Sequence, residues 1–321
     1  MSFTAEVKRE LAHLPAGDLC CARAELAAAL RASGGISFRG MGRYALSVTS
    51  ADGSVVRRYF AMVKQHFGVT GEISVIDVHT ISGERLYRLT LPEEEGKRLL
   101  QEIGLWDEQA MLCIAPVPAP GITEKECCLR AFIRGAFLMC GTADNPDKEY
   151  YLEFACPTEE LADHVMEIAK KCEILIKKAC RKHKFVVYCK KAERISDLLA
   201  LMGAANAMMK LETVRVRKDV NNGINRQMNC DSSNIARTTG AAQSQLTDIE
   251  LIEDVIGLKN LPATLRAAAE ARVNAPDVSL TELGKLMEPP LGKSGVNARM
   301  RRLSDLAERI RNGTYKGGKT P

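Results

Sequence analysis

Residues 3–14 place Phe3, Val7, Leu11 and Leu14 at helical spacing among Glu6, Lys8, Arg9 and Glu10, so the chain opens on an amphipathic helix. A second, small-residue apolar helix follows and closes at Ser33-Gly34-Gly35. Strand-like runs at 44–49, 73–78 and 86–91 then alternate with helical patterns at 55–67 and 93–103. The same order returns further on. An apolar helix closes at Cys140-Gly141, and a strand-like run at 150–155, a helical pattern at 158–172, a strand-like run at 185–189 and a helical pattern at 192–202 come after it. Beyond Met202 strand signals stop. Residues 211–257 read as helix with interruptions expected near Asn221-Asn222-Gly223 and Asp231-Ser232-Ser233, and the remainder is all helical.

The residues repeat with the pattern. Cys20-Cys21-Ala22-Arg23-Ala24 recurs 107 positions later as Cys127-Cys128-Leu129-Arg130-Ala131, and at that offset Ala29 matches Ala136 and Gly34 matches Gly141. Between the copies, Ala115-Pro116-Val117-Pro118-Ala119-Pro120-Gly121 excludes helix and central strand and predicts an extended linker. The organisation expected is a domain over 1–212, made of half-repeats at about 15–112 and 122–212, and a helical domain over 213–321.

Near the C-terminus, Ser279-Leu280-Thr281-Glu282 is a capping box that opens a helix with Leu280, Leu283, Leu286 and Met287 on one face. Glu288-Pro289-Pro290 stops it, because neither proline continues a helix. Ser294 is the expected N-cap of a second helix reaching about Ile310, which gives a helix-turn-helix over about 279–311. At ~100° per residue, Val296, Met300, Leu303, Ala307 and Ile310 form its inner stripe with Leu306 at the edge. Asn297, Ala298, Arg301, Arg302 and Asp305 point the other way, and Arg299 lies beside the stripe. In a helix-turn-helix the second helix enters the major groove, where Arg bonds guanine and Asn bonds adenine bidentately. Asn297, Arg301 and Arg302 are therefore the expected base readers, and Lys293 and Ser294, with the free N–H groups of that helix, suit a backbone phosphate.

Composition sharpens this picture. No run approaches the ~20 apolar residues of a membrane span, and the N-terminus has no signal-like apolar region, so a membrane role is dropped. The 11 cysteines are an odd number scattered through 321 residues, which points to a reducing cytoplasm. The net charge of +5 is carried by the last third: 17 basic against 12 acidic residues from Arg215 onward, with 28 of each before it. From Pro289 the ratio is 8 to 2, of which a tail over 315–321 supplies only Lys316 and Lys319. Such an excess favours a polyanion. The absence of aromatic residues between Val273 and Thr314 favours double-stranded DNA over single-stranded RNA, which is held by stacking.

The run Pro289-Pro290-Leu291-Gly292-Lys293-Ser294-Gly295-Val296-Asn297, with Arg299 and Arg301-Arg302-Leu303, resembles the terminal motif of the WhiA family. So do Asn229-Cys230-Asp231-Ser232-Ser233-Asn234-Ile235, Val186-Val187-Tyr188 with 195–204, and the opening Met1-Ser2-Phe3. The resemblance implies an α+β chain: a duplicated LAGLIDADG homing-endonuclease-like N-terminal domain, then an all-α helix-turn-helix C-terminal domain. It also implies a cytoplasmic, nucleoid-associated transcriptional regulator linked to sporulation or to cell division and chromosome segregation. Ala298 departs from the family pattern, where a histidine is expected, so a contact there is lost or altered.

LAGLIDADG endonucleases hold their catalytic metal ions with an acid at the end of each signature helix. Alignment of 26–34 and 133–141 on that signature puts Ser33 and Cys140 at the two positions, and neither is a hard anionic ligand. No catalytic residue, metal ion or cofactor is therefore expected, and Asp144 and Asp147 read as a polar turn rather than a metal site. Cys20, Cys21, Cys127 and Cys128 allow a four-thiolate zinc site if the signature helices pair, but adjacent cysteines lack the usual ligand spacing, and packing as small apolar residues is favoured. Cys172, Cys180, His183 and Cys189 are read the same way. No phosphate loop or nucleophile elbow is present. The expected function is a sequence-specific DNA-binding regulator without nuclease activity. The alternatives are a homing-type endonuclease, or an interaction module that binds RNA polymerase or another regulatory protein and holds DNA weakly.

Overall fold

The computed structural model describes residues 2–77, 85–110, 113–181 and 184–315, and the chain divides into two units, Met1–Asp219 and Val220–Pro321. At the centre of the first unit two helices pack on each other, α2 (Leu19–Ser33) and α5 (Glu126–Cys140), the two apolar helices of the repeat. Small residues let them approach closely. A methyl group added at Gly135 would lie 2.4 Å from the Glu25 backbone oxygen and 3.1 Å from the Ala28 side chain, so only glycine fits at this crossing. Gly135 and Ala28 are also equivalent positions of the repeat.

Each half adds a four-stranded antiparallel sheet. In the first half β1 (Ile36–Gly40), β2 (Arg43–Ser50), β3 (Glu72–Asp77) and β4 (Arg85–Thr90) lie in the order β1-β2-β4-β3. In the second, β5 (Gly141–Ala143), β6 (Leu152–Cys156), β7 (Lys177–Arg181) and β8 (Lys184–Cys189) lie in the order β5-β6-β8-β7. The topologies are the same. Residue alternation explains the strands that were anticipated: in β2, Tyr44, Leu46 and Val48 are buried while neighbouring positions are not. Three strands were not anticipated. β1 and β7 are outer strands with largely exposed residues, and β7 carries Lys177, Lys178 and Arg181, the charges that protect a sheet edge. β5 follows α5 without a turn, Gly141 being both the cap of the helix and the first strand residue.

The amphipathic helices cover these layers: α1 (Phe3–His13), α3 (Gly53–Phe67), α4 (Glu93–Glu102), α6 (Glu159–Lys171) and α7 (Ala192–Met202). Phe3, Val7 and Leu11 are buried as the periodicity of α1 requires. The Pro-rich stretch is not a loose extended tether. Ala115 donates its N–H to the Leu105 carbonyl (2.9 Å) and Ala119 to the Gly104 carbonyl (2.8 Å), and Pro120–Thr123 forms a 3₁₀ turn. Ala115, before the first proline, and Ala119, between two of them, supply the donors that proline lacks.

One buried charge cluster joins the halves. Glu25 on α2 accepts two hydrogen bonds from Arg58 on α3, at 2.5 and 2.8 Å, and one from Arg134 on α5 at 3.2 Å. Arg134 also donates to the Met202 carbonyl at 2.8 Å, and Arg58 to the Leu14 carbonyl.

Helix α8 (Ala205–Val255) runs without the expected interruptions at 221–223 and 231–233. Residues 221–241 are exposed throughout, whereas Leu211 and Val214 before them and Ala242, Ile249 and Ile252 after them are buried; Asn, Asp, Ser and Gly cost at most ~1 kcal/mol each in a helix, too little for any one of them to force a break. Among the described residues no helix is long and apolar enough to cross a membrane.

Candidate nucleic-acid interface

The second unit builds its site on α9 (Ala263–Asn274), α10 (Leu280–Lys285) and α11 (Lys293–Arg311). The Ser279 hydroxyl accepts from the Glu282 N–H at 3.3 Å while the Glu282 carboxylate accepts from the Ser279 N–H at 3.0 Å, a complete capping box. Hydrogen bonds from Ser279 hold the Glu282 carboxyl below the usual range. The helix closes earlier than its pattern implied. It ends at Lys285, so Leu283 and Met287 are buried but Leu286 turns out to 62% exposure, a correction to the expected four-residue face. In the turn that follows, the Leu291 N–H returns to the Gly284 carbonyl at 2.8 Å. A methyl group at Gly284 would lie 2.1 Å from the Leu291 oxygen, so glycine is what allows the turn to lie against α10.

Ser294 is not the cap of α11. Gly292 caps the helix with an extended backbone, Lys293 is its first residue and Ser294 its second. Glycine has no side chain with which to occupy the first N–H groups, which helix geometry leaves without intrahelical acceptors. The inward face is Val296, Met300, Leu303, Leu306 and Ala307, all buried, with Ile310 half-buried. Leu306 therefore belongs to the core rather than to its edge. Lys293, Ser294, Ala298, Arg301 and Arg302 are exposed, and Asn297 and Arg299 are half-buried. Among the described residues none of Lys293, Arg299, Arg301 and Arg302 forms an ion pair.

Two positioning groups escaped the sequence reading. Asp248, buried on α8, accepts from the Ser304 hydroxyl at 2.6 Å and from Arg311 at 2.5 Å, fixing α11 at two points. Arg272, buried at the end of α9, donates to the carbonyls of Pro276 (3.3 Å) and Val278 (2.7 Å), which holds the loop leading into α10. A buried charge in an otherwise ordinary helix has no local sequence signal.

In the first unit, Ser33 and Cys140 are the last residues of α2 and α5, the positions that the aligned signature assigned them. Ser33 bonds back to the Leu30 carbonyl at 3.5 Å. The Cys140 thiol is pushed well above its ordinary value by its hydrogen bond with Cys156 and by burial. Asp147 pairs with Arg217, and the Asp144 N–H extends the sheet by bonding the Tyr151 carbonyl at 2.9 Å. Cys180 is exposed on β7 and Cys189 is buried on β8, and among the described residues Cys172, Cys180 and Cys189 form no cluster; His183 lies outside those residues. Val78, which the sequence pattern assigned to a strand, and the tail 316–321 also lie outside them.

A duplicated helix-and-sheet domain with a paired central helix from each half, followed by a unit with a capped helix, a proline turn and a basic second helix, defines a LAGLIDADG-like domain joined to a helix-turn-helix. Three family models match the chain accordingly: a WhiA N-terminal LAGLIDADG-like domain over 19–106, a WhiA LAGLIDADG-like domain over 129–221, and a WhiA C-terminal HTH domain over 224–307. The chain is 38% identical over 315 residues to the "Probable cell division protein WhiA" of Clostridium botulinum, covering 98% of this chain and 100% of the relative. It is 38% identical over 309 residues to the protein of the same name from Heliobacterium modesticaldum, covering 96% of each. The crystal structure of full-length DUF199/WhiA from Thermatoga maritima superposes with a TM-score of 0.60 at 24% identity, over 96% of this chain and 99% of that one. The chain belongs to the WhiA family.

Proposed function

We propose that the protein is a sequence-specific regulator of transcription that binds double-stranded DNA through α11, acts in cell division, chromosome segregation or sporulation, and does not cleave its target. The observation that carries this reading is the outer face of α11, where Arg301 and Arg302 are exposed and, among the described residues, form no ion pair, while the inner face is locked into the core. Both guanidiniums are free for guanine edges, and Asn297, one turn earlier, suits adenine. Lys293, Ser294 and the N-terminus of the helix, which Gly292 leaves without a side-chain cap, suit a phosphate, as does Arg299 at the margin of the stripe. Ala298 offers only an apolar contact. The relatives' name supports the placement in cell division. Non-cleavage is supported by Ser33 and Cys140, which supply no carboxylate where signature helices hold hard metal ions.

Genome-wide binding in the native host, with anisotropy titrations on the enriched and on scrambled duplexes, tests the reading. Each bidentate base contact is worth ~1–3 kcal/mol, so Arg301→Ala and Arg302→Ala should each weaken the enriched site roughly 5- to 150-fold and scrambled DNA far less. Equal affinity for enriched and scrambled duplexes would overturn specific recognition. Magnesium-dependent cutting of the bound site, lost in an Asp144→Asn, Asp147→Asn protein, would overturn the non-cleaving assignment.

A further inference from the structure

The repeat places a pair of cysteines at the second and third residues of α2, Cys20 and Cys21, and of α5, Cys127 and Cys128. Because the two helices pack as equivalents, the pairs meet, and all four sulfurs lie within 4.8 Å of one another. We propose that these four thiolates bind one zinc ion, which clasps the N-terminal ends of the two signature helices.

The geometry is close to what the ion needs. A tetrahedral centre with Zn–S bonds of ~2.3 Å sets its sulfurs roughly 3.8 Å apart, and Cys127 and Cys128 already lie at 3.9 Å. The objection that adjacent cysteines lack ligand spacing holds for a single segment. Here each helix supplies one pair, and the second helix replaces the intervening loop of an ordinary zinc site. The packing role expected of these residues fits less well, since only Cys128 is fully buried, Cys20 and Cys21 are half-buried and Cys127 is exposed. Solvent therefore reaches the cluster, and an ion has a way in.

Charge favours the same outcome. Without a metal these groups stay thiols, since four thiolates this close would repel one another, and a divalent cation removes most of that repulsion so that all four can ionise. The remaining charge of the ion with four thiolates is −2, and it faces the first turns of two helices, whose free N–H groups and dipoles favour negative charge. Neither N-cap, Asp18 or Lys125, uses its side chain to satisfy those groups. Binding exchanges four thiol protons for the ion, Zn²⁺ plus four R–SH giving the thiolate complex and four H⁺, with no change of oxidation state. Soft sulfur ligands select zinc over magnesium or calcium. The centre is also distinct from the signature metal positions at the other end of these helices, since Cys20 and Ser33 are thirteen residues apart, ~20 Å along the helix.

The test measures metal directly, with the full chain isolated under reducing conditions without chelator. Elemental analysis should find about one zinc per chain. Replacement by cobalt should give thiolate-to-metal charge transfer and tetrahedral d–d absorption, and X-ray absorption should show a shell of sulfur alone. The Cys127→Ser protein, altered at the exposed ligand, should lose zinc at least ten-fold more readily to a chelator. The variant with all four positions changed to serine should carry none. If that variant does not fold, the absorption spectrum of the unaltered chain decides. Zinc-free protein that takes up no cobalt, a first shell with nitrogen or oxygen, undiminished zinc in the four-serine protein, or a disulfide among these cysteines in protein alkylated inside cells would each overturn the proposal.

Discussion

Glu25→Gln tests how the two halves of the first unit are held together. The wild-type carboxylate has a fully buried side chain, and its partner Arg58 is exposed only to 2%, so water screens neither. Glutamine keeps the shape but removes the charge, and its amide nitrogen cannot accept from a guanidinium. Arg58 would lose a bidentate partner at 2.5 and 2.8 Å, and Arg134, whose side chain is 15% exposed, would lose one at 3.2 Å. Removing one member of a buried pair costs ~3–5 kcal/mol, against ~0–1 kcal/mol for an exposed pair. Burial places this cluster in the first regime, a fall of roughly two to four orders of magnitude in the folding equilibrium constant. The chain has a single tryptophan, Trp106, and it lies in the first unit, packed edge-on against Tyr44 at 5.5 Å. Its fluorescence during urea unfolding therefore reports the unit in question. The midpoint should fall steeply with an unchanged slope, and the double change Glu25→Leu, Arg58→Met should recover most of the loss. A loss below ~1 kcal/mol for Glu25→Gln would refute the reasoning, because it would mean that the cluster behaves as a solvent-screened pair.

Two further outcomes are expected. Gly284→Ala would drive a methyl group into the Leu291 carbonyl, displacing the turn that sets α11; a stability loss of ~1–3 kcal/mol in the second unit, seen by circular dichroism melting, should accompany weaker DNA binding, and wild-type behaviour would refute the close-approach argument. His164 stacks edge-on against Phe132 at 4.8 Å, and burial depresses its pKa despite the opposing effect of Glu167. The unfolded state binds that proton more readily, so the contribution is fully present above the unfolded value of ~6.5 and is lost as pH falls below it towards the depressed folded value. Urea midpoints of wild type and His164→Gln measured across that window should converge as the solution is acidified, and parallel curves would exclude the assignment.

Periodicity made the signature helices, the capping box and the inner face of α11 legible, because each is a local pattern with a local cause. What sequence left hidden was set by partners distant along the chain. Asp248 meets Ser304 across 56 positions, and nothing near either residue announces the other. β7 reads as solvent-facing polar chain until β8 pairs with it. Ser294 has the chemistry of a cap, yet the turn beginning at Gly284 brings the chain into helical geometry at Lys293, before the serine can serve. The cysteine pairs are the instructive intermediate: their recurrence was visible, whereas their convergence depended on two helices crossing through Gly135 and Ala28.

The duplication is also not interchangeable with itself. At the 107-residue offset Glu25 corresponds to Phe132, and Arg134 corresponds to Ala27. The carboxylate belongs to one half only and the guanidinium that crosses to it belongs only to the other. Two second halves brought together would bury arginines beside phenylalanines with no anion between them. The halves are thus complementary rather than equivalent, and a change at Glu25 is felt in both of them, at Arg58 33 residues away in its own half and at Arg134 109 residues away in the other.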